Sequence, residues 1–108
     1  MKKLISIFIL SLLFINTKAD THYINSGNFY YSPSSLTVDV NDTVVWLNVQ
    51  GFHNVNFDIS SLTGNSFGNP VSFISSPTGA DTMYLHKFTV PGYYEYDCSV
   101  GSHAASGM

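Results

Sequence analysis

From residue 20 onward, short apolar segments alternate with Gly, Pro, Asn, Asp and Ser at the intervals of an all-β domain. The segments themselves are rich in Val, Tyr, Phe and Thr, while Glu, Lys, Arg and Gln are nearly absent, so a helical bundle is excluded. Strands are expected near residues 21–24, 36–40, 43–49, 53–57, 83–89 and 93–98. Leu36, Val38 and Val40 alternate with polar neighbours and suit a strand with one wet face, whereas the run Val44-Val45-Trp46-Leu47 reads as a more central strand. Asn41-Asp42 and Pro91-Gly92 are the expected turns, and residues 57–81 form a long connection with a short helical turn near 59–62. In the last legible strand Tyr94, Tyr96 and Cys98 share one face, taken as the core side, and Tyr93, Glu95 and Asp97 share the other.

Ahead of this domain, Lys2 and Lys3 precede an apolar run over residues 4–15, and Thr17-Lys18-Ala19 offers a small residue for cleavage. Residues 1–19 therefore read as a secretory signal peptide, and residues 20–108 as one exported domain, periplasmic or secreted. The run of 12 residues falls short of the roughly 20 that span a bilayer, so the mature chain is not expected to insert into a membrane. Cleavage leaves Lys87 as the only Lys or Arg against seven acids, a net charge of −6. One cation cannot neutralise a run of phosphates, which excludes nucleic-acid binding.

An exported chain normally pairs its cysteines, yet Cys98 stands alone. Five residues on comes His103 and five further Met108, within a loop of small residues. A thiolate, imidazoles and a weak axial thioether form the ligand set of blue copper electron-transfer sites. The further imidazole it needs is best supplied by His53, just after the Trp46 strand; His22 lies too near the mature terminus, and His86 lies mid-strand beside Lys87, where it is expected to face solvent.

These residues resemble the cupredoxins, the plastocyanin, azurin and pseudoazurin group of small blue copper proteins. The resemblance runs through Tyr30-Tyr31-Ser32-Pro33, Val40-Asn41-Asp42-Thr43-Val44-Val45-Trp46, His53-Asn54-Val55 and Pro91-Gly92-Tyr93-Tyr94-Glu95-Tyr96-Asp97-Cys98 to Met108. It implies a Greek-key β-sandwich of about six to eight strands around one type 1 copper ion. His53, Cys98 and His103 become the equatorial ligands and Met108 the axial one, with Asn54 tying the His53 loop to the Cys98 loop at Ser99. The family carries a further strand after its Met, so this domain is expected to lack its C-terminal strand. The activity implied is one-electron transfer rather than catalysis, to a redox protein with a basic docking patch such as a c-type cytochrome or a copper reductase. Two other readings compete. One is a copper-delivery protein or a copper domain of a larger oxidoreductase; the other is an interaction sandwich in which Cys98 is merely buried.

Overall fold

The computed structural model describes residues 18–108, so all but the last two residues of the expected leader lie outside the described residues. Regular pairing is concentrated in one sheet of four strands: β1 (Thr21–Gly27), β2 (Tyr30–Ser32), β3 (Thr43–Asn48) and β4 (Thr82–Lys87), in the order β2-β1-β3-β4. β1 and β3 run parallel, which requires the intervening chain to cross over, while the β1–β2 and β3–β4 pairs are antiparallel. In β3, Val44 and Trp46 point into the core and Val45 and Leu47 are half-buried, as a strand flanked on both sides demands.

The opposite layer is extended but irregular. Residues 53–57 form isolated bridges, His53 to Thr78, Asn56 to Ile74 and Asn56 to Asp97. The strands expected at 36–40, 53–57 and 93–98 are therefore extended segments rather than regular strands, and the described residues carry four regular strands. The physical reason is that side chains do much of the pairing. Asn69 donates from Nδ2 to the Glu95 carbonyl at 2.8 Å and accepts the Glu95 N–H on Oδ1 at 2.8 Å, occupying the place of a neighbouring strand. The helical turn expected at 59–62 is a single hydrogen-bonded turn, Gly64 N–H to the Ser60 carbonyl, with no helix.

Between the layers lie Ile24, Val38, Val44, Trp46, Val55, Phe57, Met83, Phe88 and Tyr94. Trp46 anchors this core. Its ring meets Phe57 and Tyr96 edge-on, and its Nε1–H donates to the Tyr96 hydroxyl at 3.2 Å, which satisfies the one polar atom a buried indole brings. Burial pushes the Tyr96 phenol up to about 12. Tyr94 and Cys98 face inward and Tyr93 outward. Asp97 departs from the expected wet face: it is buried, and its carboxylate accepts from Asn56 Nδ2 at 2.7 Å and from the Ser61 N–H at 2.8 Å. His86 is half-buried rather than solvated, stacked on Phe73 with ring centroids 3.8 Å apart. Burial holds its pKa below the ordinary imidazole value.

Candidate metal centre

One end of the sandwich brings together three donors that are far apart in the chain. His53 Nδ1 lies 3.1 Å from His103 Nδ1, and the Cys98 sulfur lies 4.0 Å from the first and 3.5 Å from the second. Among the described residues this is the one trio of His, Cys, Asp or Glu ligand atoms lying within 4.8 Å of one another. His53 and Cys98 are fully buried and His103 is half-exposed, so the cluster sits under the surface with one imidazole at its rim.

His53 is aimed by its loop. Its Nε2 lies 2.7 Å from the Gln50 carbonyl, an acceptor, so the ring proton resides on Nε2 and the lone pair of Nδ1 faces the cluster. Gly51 makes that turn possible: its φ is +94°, and a Cβ there would come within 2.7 Å of His53 Nε2 and 2.6 Å of Asn28 Oδ1. The bridge to Thr78, with both backbone hydrogen bonds formed, holds the His53 backbone from the other side.

His103 sits in a coil of turns that returns the chain to its start. The Met108 N–H donates to the His103 carbonyl at 3.0 Å, and the Cys98 N–H donates to the Met108 carbonyl at 3.1 Å. Met108 is thereby buried and fastened beside Cys98 through its backbone. The His103 ring rests edge-on against Phe29, centroids 5.2 Å apart. Burial, followed by the adjacent His53 ring, holds the His103 pKa below the ordinary imidazole value, which keeps it neutral and able to donate a lone pair.

Asn54 joins the two loops. Its Oδ1 accepts the Ser99 N–H at 2.8 Å, and its Nδ2 donates to the Ser99 hydroxyl at 2.8 Å and to the Ser75 carbonyl at 3.1 Å. Tyr31 adds a contact that sequence reasoning missed. Its hydroxyl donates to the Asn54 carbonyl at 2.5 Å and lies within hydrogen-bonding reach of the Cys98 thiol; burial, then the neighbouring Cys98, pushes the phenol far above its usual range. Phe29 and Gln50 were likewise missed, the second because it contributes a backbone oxygen that no side-chain pattern reveals.

A buried thiol beside two imidazole nitrogens is a soft, mixed S and N donor set, which suits copper and leaves no acidic oxygen for a hard cation. Fold and donor set together define a cupredoxin, an all-strand copper-binding domain. The family model of copper binding proteins of the plastocyanin/azurin family matches residues 18–108, and the chain belongs to that family. It is 32% identical over 85 residues to plastocyanin from Scenedesmus fuscus, covering 78% of this chain and 85% of that one. Against plastocyanin A/B from Petroselinum crispum the identity is 31% over 85 residues, covering 78% of this chain and 86% of the relative. Among solved structures, dithionite-reduced auracyanin from Roseiflexus castenholzii superposes with a TM-score of 0.53 over 86% of this chain and 94% of its own, at 20% identity, a likeness of fold.

Proposed function

We propose that the protein is an exported one-electron carrier whose copper would be held by His53, Cys98, His103 and the Met108 thioether. When bound, copper supplies a Cu(II)/Cu(I) couple that takes one electron from a reductant and passes it to an oxidant. The observation that carries this reading is the convergence of His53 Nδ1, Cys98 Sγ and His103 Nδ1, with the His53 tautomer fixed by the Gln50 carbonyl. The backbone of each donor residue is tied to the scaffold by hydrogen bonds independent of the metal, which favours ligands that stay in place when the charge on the ion changes.

The half-exposed His103, beside the exposed Phe29, is the electron's exit. A mature charge of −6 favours a partner with a basic docking patch, such as a c-type cytochrome or a copper reductase, met in the periplasm or the medium. Among the described residues no helix is long and apolar enough to cross a membrane. The test is stopped-flow reduction of a basic c-type cytochrome by the reduced protein. The second-order rate is expected to fall steeply as salt rises. Fast transfer with no salt dependence would refute the basic partner, and release of Cu(I) without transfer would refute carriage in favour of delivery.

A further inference from the structure

We propose that removal of the leader after Ala19 creates a second copper site at the new N-terminus, in which the α-amine of Asp20, the backbone nitrogens of Thr21 and His22 and the His22 Nδ1 enclose a Cu(II) ion in a square plane. It rests on the leader part of the reading above and not on electron carriage. The order Asp20-Thr21-His22 places these four nitrogens in consecutive chelate rings once the amine is free. A tetragonal nitrogen set is the preference of Cu(II) and Ni(II), whereas Cu(I) favours the thiolate of the first site.

One carboxylate already gathers the two ends of this chelate. Asp42 Oδ1 accepts the Asp20 N–H at 2.8 Å, and Asp42 Oδ2 lies 2.8 Å from His22 Nε2. Asp42 is buried and also accepts the Asp39 N–H at 3.1 Å, so it cannot swing away. The Asp42 contact draws the His22 proton to Nε2 and leaves the lone pair on Nδ1, the ring nitrogen that can close a chelate with its own backbone. The arrangement is that of a carboxylate orienting an imidazole toward a metal. The His22 side chain is 27% exposed, so an ion reaches it from solvent.

The backbone nitrogens are accessible at small cost. β2 covers β1 only from Asn25 to Gly27, and on β1's other side Thr21 and His22 make the first two rungs with Thr43 and Val44. Binding opens those two rungs at a chain end, where fraying costs least. The α-ammonium and two amides each lose a proton to solvent as the ion enters, so affinity rises with pH.

The test titrates Cu(II) into the chain beginning at Asp20, into its His22→Ala variant, and into a chain beginning at Ala19, which keeps every side chain but moves His22 to fourth place. Two equivalents are expected in the first and one in the others. The extra equivalent should show the weak violet absorption and nitrogen-split paramagnetic resonance signal of a square-planar Cu(II) centre. An Asp20 chain that never shows the violet signal overturns the proposal, as does a violet signal that survives either change. Loss of the blue absorption in all three, with the violet signal retained in the Asp20 chain alone, would refute the electron carrier and leave this site standing. Mass spectrometry of the exported protein should find Asp20 first; any other N-terminal residue overturns the proposal.

Discussion

Replacing Asn54 with alanine removes a side chain that clamps the His53 loop to the Cys98 loop, across 45 residues of sequence. Three hydrogen bonds go with it. Each contributes about 0.5–1.5 kcal/mol net, and a buried donor or acceptor left unpaired adds about 1–3 kcal/mol. The Ser99 hydroxyl can turn to another partner, but the Ser99 N–H and the Ser75 carbonyl are fixed by the backbone. Weighing these terms gives a destabilisation of about 3–4 kcal/mol. That is a large share of the roughly 5–15 kcal/mol that holds a domain folded. Because the clamp orients two of the metal donors, copper affinity should fall as well, by about 10–100-fold. Urea unfolding of the apoprotein reads the first effect, and competition with a copper chelator reads the second. An Asn54→Ala protein within about 0.5 kcal/mol of the parent, with unchanged copper affinity, would refute the claim that this amide positions the site.

The remaining expectations are narrower. Gly51→Ala should destabilise the apoprotein by more than about 1 kcal/mol and weaken copper binding, since the new Cβ meets His53 Nε2 and the backbone stays at positive φ; equal stability in thermal unfolding would contradict it. Burial alone would raise the Asp42 pKa, but hydrogen bonds from the Asp20 N–H, His22 and the Asp39 N–H outweigh it and hold the carboxyl below its usual value. Its folded-state pKa lies below the unfolded value, so its contribution to stability is complete above about pH 4 to 5 and is lost as pH falls through the folded value. The stability gap between the parent and Asp42→Asn should therefore be constant near neutrality and close in acid; a gap that widened in acid would reverse the sign and refute the assignment. Trp46→Phe should cost about 2–3 kcal/mol, from lost volume and an unpaired Tyr96 hydroxyl, measurable by denaturant unfolding.

The sheet was legible where backbone pairing makes it. The run Val44-Val45-Trp46-Leu47 read as a central strand from its continuous apolar character, and the inward Tyr94 follows from alternation, because a period of two is what a half-buried strand imposes. The other layer was not legible as strands or non-strands, since the Asn69 amide takes the place of a neighbouring strand at Glu95 and the Asn56 amide reinforces an isolated backbone bridge to Asp97, and no local pattern distinguishes these from loop asparagines. Asp97 was misplaced for the same reason: alternation put it on the wet face, but Ser61 and Asn56 return to cover it. His86 misled because its burial comes from Phe73, a residue of the long connection whose path the sequence does not disclose. The metal centre was partly legible in the Cys98, His103 and Met108 spacing. The Gln50 carbonyl, Phe29 and Tyr31 were out of reach because each acts through a contact made only once the chain is folded.

The most direct measurement is the visible absorption spectrum of the protein and of its Cys98→Ser variant, with Cu(II) added and ascorbate then supplied. The account expects an intense blue band in the parent that bleaches on reduction, returns on reoxidation and is missing from the variant, because the thiolate bound to copper is its source. No such band in the parent, or the same band in Cys98→Ser, would contradict a copper centre built on His53, Cys98 and His103.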